Sequence, residues 1–513
     1  MHTTQAIVQA SPCLSSSDLA KAWRWDTASD FHALSDDERP IETSILHWSS
    51  YDRFLPFPHD RQPLQDQLHH AFSSDVTKLA VAVGSEVDVY DLETKKRTTL
   101  CGHTVQIECL AFRPGRSDTL VSSAVAWMDE TNTERAEVFI WDLTEVFHGE
   151  TSKTGQTRAE GLTRDLIERI RTGLGEGESP ISLQMEDQED LTTTLNRLLG
   201  RILISSAAQR IHGRLCSSNQ SSMFNHAGNV LVIEPGNTPQ ANGDDQWDIN
   251  LYNLDTHETV TLTGHRDVVT WIGFSPNDKL VVSASFDETY RAWDADSGTC
   301  LHVLNTTRQN LTGAISPDNE QFLGIDGGSV VSAWSLKTGH MIWSYKADHS
   351  SACTLDWFGD DSACTLDWSG EGRYVLAGCL SLGRILLFDT TLPIVDTILE
   401  PVQKRVLSLE KTDLDPQVKG LAAGMLKVRS LRFIPRPEGE IMFGSATDLD
   451  GAVEVVSLDR GKRWRILPIS DGPSTDAPRS NERSVDTPVW SVLPASAQIA
   501  VIGYGGAWTW NLR

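Results

Sequence analysis

An all-β chain built from repeated four-stranded units is the architecture this sequence predicts, and three observations carry it. Between Gly264 and Asp294, short apolar runs alternate with turn-forming residues: a first strand from Val268 to Phe274, the turn Ser275-Pro276-Asn277-Asp278, a second strand from Leu280 to Ser285, the tight turn Asp287-Glu288, and a third strand from Thr289 to Trp293. A fourth run, Cys300 to Leu304, follows the turn at Asp296-Ser297-Gly298. The same order of runs recurs along most of the chain, whereas helical periodicity is confined to about 150–210.

Four separated positions in this stretch, His265, Ser283, Asp287 and Trp293, stand at the spacing of the WD repeat, and the stretch resembles one complete repeat of that family. The resemblance implies a four-stranded blade of a β-propeller, with these four side chains joined in a buried hydrogen-bond chain that locks the blade. The chemistry suits that role. An indole N–H needs an acceptor, a hydroxyl supplies one, and an imidazole between hydroxyl and carboxylate satisfies both. By the same resemblance His103 and Trp141 are the locking residues of the second blade.

Taken in order, residues 1–40 are rich in Ser, Thr and Asp and read as a disordered arm, with Trp23 and Trp25 as segments that dock on some surface. Residues 41–513 read as the propeller, with the candidate strand at 41–48 reserved for closing the last blade. Residues 54–59, Phe-Leu-Pro-Phe-Pro-His, are too Pro-rich for regular structure. Blades follow at about 67–100 and 102–142. The period then breaks at 150–210, where Leu162, Leu166, Ile167, Ile170 and Leu174, and later Leu191, Leu195, Leu198, Leu199 and Ile202, fall on one helical face each. This predicts a helical insertion after the second blade.

The repeat resumes at 222–262, with Tyr252 in the usual Trp position, and continues through 268–304 and 310–345, where Asp326 takes the turn and Trp334 the third strand. The first unit and those at 374–389 and 428–457 are weaker, since none carries the Trp-Asp close, and a final unit lies at 489–511. The segment Ser351 to Trp357 is duplicated at Ser362 to Trp368, and only the second copy is spaced to serve as a first strand before Tyr374. Eight second-and-third-strand pairs predict eight blades, with seven as the alternative. The last unit lacks a fourth strand, and a strand from the N-terminal side is expected to supply it, because closure removes the exposed edges.

The chain has 513 residues, 16 Trp and a formal charge of −26. A field of that sign repels phosphate backbones and anionic lipid, which argues against nucleic-acid and membrane partners and favours a basic or hydrophobic peptide. Eight cysteines without a CxxC pair suggest free thiols in a reducing compartment, and no signal-like or membrane-length apolar run appears, so an intracellular location, cytoplasmic or nuclear, is expected.

No spacing in the chain predicts catalysis, a cofactor or a metal. Gly173-x-Gly175-x-Gly177 lies among glutamates that would repel phosphate. His69-His70 are strand neighbours that point apart, and Asp448-Leu-Asp450-Gly451 lacks the closing glutamate of a calcium loop. What remains is recognition by the propeller rim, for which the resemblance implies Gln106 and Glu108 in the second blade and Val268, Thr270 and Phe286 in the fourth. The expectation is a non-enzymatic scaffold or adaptor. Its rivals are a sensor-type WD-repeat region of a signalling system and a propeller enzyme with a site in the central channel.

Overall fold

The computed structural model describes residues 32–34, 45–47, 53–58, 68–126, 135–144, 208–215, 222–235, 247–328, 330–346, 365–380, 384–390, 404–408, 428–435, 442–447, 453–457, 462–466, 489–493, 498–503 and 506–511. Their strands fall into eight antiparallel meanders. The first comprises His70–Phe72, Lys78–Val83, Glu86–Asp91 and Arg97–Cys101, and the second Ile107–Phe112, Thr119–Ala126, Arg135–Asp142 and Ala208–His212. The third has three strands, Val230–Ile233, Trp247–Asn253 and Thr259–His265, with a single bridge from Phe224 to Leu231 in place of the innermost one. The fourth runs Val269–Phe274, Leu280–Ser285, Thr289–Asp294 and Cys300–Asn305, and the fifth Asn310–Ile315, Gln321–Asp326, Val330–Ser335 and Met341–Lys346. The sixth holds Thr365–Trp368, Tyr374–Leu380, Arg384–Asp389 and Lys404–Ser408. The seventh holds Val428–Phe433, Met442–Thr447, Val453–Ser457 and Lys462–Ile466, and the eighth Val489–Val492, Gln498–Gly503 and Gly506–Asn511.

Alternation along these strands buries both faces, and the buried residues join each sheet to the next. Leu100 packs with Ile107 and Leu120 between the first and second sheets, and Val121 and Val138 with Leu231 between the second and third. Ile249 and Leu251 meet Ile272 and Trp293, Ala284 and Tyr290 meet Phe322, and Ile325 and Val331 meet Leu366. Between the sixth and seventh sheets the Phe433 N–H donates to Asp367 across 2.6 Å. Val453 and Val455 then pack with Trp490 and Ile499. Ile502 and Ala507 of the eighth sheet return to Leu79 and Val81 of the first. The ring of sheets is therefore closed, and the arrangement is a β-propeller.

Closure differs from the expectation in one respect. The strand that completes the eighth sheet is Arg53–Pro56, antiparallel to Gly506–Asn511, and not the 41–48 segment. Its proline ends an outermost strand, where no ladder donor is required, so the Pro-rich 54–59 segment is compatible with pairing after all. Leu55 and Phe57 are buried with the first and last sheets, and Phe54 stacks on Trp508 at 5.1 Å. The chains approach so closely that a Cβ on Gly506 would lie 2.3 Å from the Leu55 carbonyl oxygen, and φ there is +152°. Both facts require glycine. Ile45–His47 instead adds in parallel to Lys462–Ile466 as a fifth strand of the seventh sheet. His32–Leu34 adds antiparallel to Lys404–Ser408 in the sixth, so this part of the 1–40 arm is a strand.

Ala208–His212 is the fourth strand of the second sheet, which shortens the segment read as a helical insertion; the apolar faces at 162–202, like Trp23, Trp25, the 173–177 glycines and the 448–451 loop, lie outside the described residues. Thr365–Trp368 pairs with Tyr374–Leu380, so the second copy of the duplicated heptapeptide does serve as an innermost strand; the first copy lies outside the described residues. Among the described residues no helix is long and apolar enough to cross a membrane.

Candidate functional site

The fourth sheet brings His265, Ser283, Asp287 and Trp293 together. The Trp293 indole N–H donates to Ser283 Oγ at 2.9 Å, and His265 Nε2 lies 2.7 Å from the same oxygen. On its other side His265 Nδ1 lies 2.8 Å from Asp287 Oδ2, which also accepts the Arg266 N–H. Thr289 completes the set, its hydroxyl and N–H donating to Asp287 Oδ1. Burial of His265 pushes its pKa down, against the opposing pull of Asp287. For Asp287, burial works to raise the pKa, but the His265, Thr289 and Arg266 donors outweigh it and hold the carboxyl far below its ordinary range. The chain of donors is satisfied from indole to carboxylate.

The second sheet builds the same chain from a different acid. Trp141 donates to Ser122 Oγ at 2.8 Å, and His103 Nε2 lies 2.7 Å from that hydroxyl. His103 Nδ1 faces Glu137 Oε1 at 3.3 Å, and Arg210 of the fourth strand pairs with Glu137 Oε2 at 2.7 Å. The hydrogen bond from His103 is the main cause that holds the Glu137 carboxyl low, with burial opposing it. Neither Glu137 nor Arg210 is evident from the repeat spacing. The second hairpin extends past the tight-turn position, so the acid comes from within the third strand.

Elsewhere the chain is incomplete. In the fifth sheet Gly324 stands in register where the fourth has Ser283, and the Tyr290 ring occupies the space, 2.2 Å from where a Cβ would sit. The buried Trp334 Nε1 has no hydrogen-bond partner. In the third sheet the Tyr252 hydroxyl turns outward to Gln209 and His257. The turn read at Ser275 to Asp278 proves to recur. Ser73, Ser275 and Ser316 each donate to an acid or amide two residues on, Asp75, Asn277 and Asp318, and each caps the start of the following strand.

The rim candidates fall at matching places. Glu108 and Thr270 are the extra residues of bulges at the start of the innermost strands of the second and fourth sheets. Both are half-buried, as are Gln106, Val268 and Phe286. The Phe286 N–H donates to the Val268 carbonyl, which puts those two side by side. Thr270 is tied down, its hydroxyl donating to the Asn310 carbonyl oxygen at 2.9 Å. Phe286 leans inward, its ring packing against the cluster of Leu311 and Ile325.

Of the two adjacent histidines, His70 Nε2 lies 2.8 Å from Ser491 Oγ across the closing seam, and burial lowers its pKa to about 4. Asp367, held by the Phe433 N–H between the sixth and seventh sheets, has its pKa raised by burial, with Arg432 opposing. Among the described residues no group of three His, Cys, Asp or Glu side chains is placed to hold a metal ion.

Comparison with known proteins finds a similarity to WD-repeat sequences over part of the chain. The family model described as WD domain, G-beta repeat, matches residues 257–294, the stretch that carries the His265 chain. Apoptotic protease-activating factor 1 of Danio rerio is 24% identical over 274 residues, 52% of this chain and 18% of the relative. Periodic tryptophan protein 2 homolog of Mus musculus is 26% identical over 122 residues, 23% of this chain and 13% of that one. Autophagy-related protein 16 of Arabidopsis thaliana is 36% identical over 103 residues, 18% of each. The chain thus spans less than a fifth of the length of these relatives.

Proposed function

We propose that this WD-repeat β-propeller protein is a non-enzymatic scaffold or adaptor that binds a peptide or protein through the propeller rim. The observation that carries this reading is the rigid seating of the rim. The buried chains ending in Asp287 and Glu137 fix the loops beside Val268, Phe286, Gln106 and Glu108, so a partner meets a surface already ordered and pays little for arranging it. The blade-locking role of His265, Ser283, Asp287 and Trp293, and of His103 and Trp141, belongs to the same reading. A charge of −26 supports a basic or hydrophobic partner in preference to nucleic acid or a membrane surface. Cys101, Cys109 and Cys300, which form no disulfide among the described residues, support a reducing, intracellular setting.

Eight blades are part of this proposal, supported by the eight sheets joined in one ring. The three-stranded third sheet is the observation that favours seven, if it is taken as an appendage. Affinity purification of the tagged chain, read by mass spectrometry beside a Glu108→Arg, Phe286→Ala double variant, tests the rim. A partner near stoichiometry that the variant loses is the expected result. A partner retained in full by the variant counts against the rim. Recovery of no partner would count against the scaffold reading.

A further inference from the structure

The geometry points to a second docking surface, distinct from the rim: the free outer edge of the fourth sheet, strand Cys300–Asn305, accepts an extended segment of a partner protein as a fifth strand. Among the described residues this strand pairs only with Thr289–Asp294 and ends its sheet. Leu301 is 45% exposed and Val303 44%, the two most exposed large apolar side chains of the described residues. Soluble proteins blunt such edges with Lys, Pro, inward charge or a covering element. The outer strand of the first sheet carries Arg97 and that of the second Arg210, while the third presents Thr259, Thr261 and Thr263 outward. Cys300-Leu-His-Val-Leu-Asn305 has no formal charge and no proline, and presents leucine and valine.

The molecule itself shows that its outer edges take an added strand. His32–Leu34 lies antiparallel on the outer strand of the sixth sheet, and Ile45–His47 lies parallel on that of the seventh. The fourth sheet has the same four-strand geometry, without such a cover among the described residues. Charge identifies the occupant. Thr306 N–H donates to the Glu288 carbonyl, which puts an exposed glutamate at one end of the edge. Asp294 N–H donates to the Thr299 carbonyl, which puts Asp294 at the other, where Asp296 pairs with Lys279 at 3.5 Å. The segment that fits is extended, apolar at alternate positions to cover Leu301 and Val303, and flanked by Lys or Arg. Ladder hydrogen bonds supply affinity, and the apolar and charged positions supply choice of partner.

The test does not depend on the rim reading. A fluorescein-labelled peptide of about ten residues, valine alternating with threonine and lysines at both ends, is titrated by anisotropy into the full chain. Binding is expected, weakened at least about tenfold by Leu301→Lys, Val303→Lys, and unchanged by Glu108→Arg, Phe286→Ala. A peptide N-methylated on alternate residues, unable to donate to the edge, is expected not to bind. Both substituted side chains are largely exposed, so the edge variant should melt with the parent. If it does not, the milder Leu301→Thr, Val303→Thr replaces it, with a severalfold loss expected. No binding to the parent overturns the proposal, as does equal binding to either edge variant. A parent that sediments as a dimer and becomes monomeric in the edge variant also overturns it, because the edge is then covered by a second copy.

Discussion

At the scale of single residues, Ser283 serves one donor and one acceptor that otherwise have nowhere to go, accepting from the indole and donating to the imidazole. Its hydroxyl meets both the Trp293 indole and His265 Nε2. Ser283→Ala leaves these groups buried without partners and is expected to cost about 2–4 kcal/mol in chemical denaturation. Trp293→Ala, which adds a cavity, is expected to cost about 3–5 kcal/mol. An unchanged unfolding midpoint for either would contradict the role given to this chain. His70 provides a pH dependence. Its folded pKa of about 4 lies below the ordinary 6.5, so the unfolded state binds the proton more readily. Stability is complete above about 6.5 and falls as pH drops from there toward 4, by at most about 3 kcal/mol and by less once solvent screening is counted. His70→Gln, which can keep a bond to Ser491, should flatten that limb of the melting-temperature profile.

At the scale of elements, the strand pattern was legible where local signals agreed. Around Trp293 the turn residues, the alternation and the locking positions all specify the same four strands. The second sheet shows why legibility fails. Its long second hairpin moves the acid from a turn to Glu137, a position no repeat spacing marks, and its fourth strand, Ala208–His212, lies far along the chain from Asp142. The closing strand was misplaced for a related reason. Proline in residues 54–59 reads against a strand, yet an outermost strand tolerates it, and the partner that decides the matter, Gly506–Asn511, is distant in sequence. Gly506→Val should therefore displace Arg53–Pro56, since its side chain would strike the Leu55 carbonyl oxygen. Faster amide exchange confined to the eighth sheet is the expected signature. Exchange unchanged there would contradict the assignment.

At the scale of the whole molecule, the ring is a platform, and its surface carries the function. Composition and charge suggested the class of partner, but they could not show that Thr270 is tied to the next sheet or that Phe286 leans on Leu311, because both depend on how neighbouring blades meet. The rim that remains, Glu108 with Gln106 and Val268, is the ground for the scaffold reading. The measurement that tests it most directly is site-specific photo-cross-linking in cells, with a photoreactive amino acid at Glu108 or Val268 and a control at the exposed Glu371 of the sixth sheet. The account predicts one protein cross-linked in high yield from the two rim positions and not from the control. Equal, diffuse labelling from all three positions, or none from the rim, would contradict it.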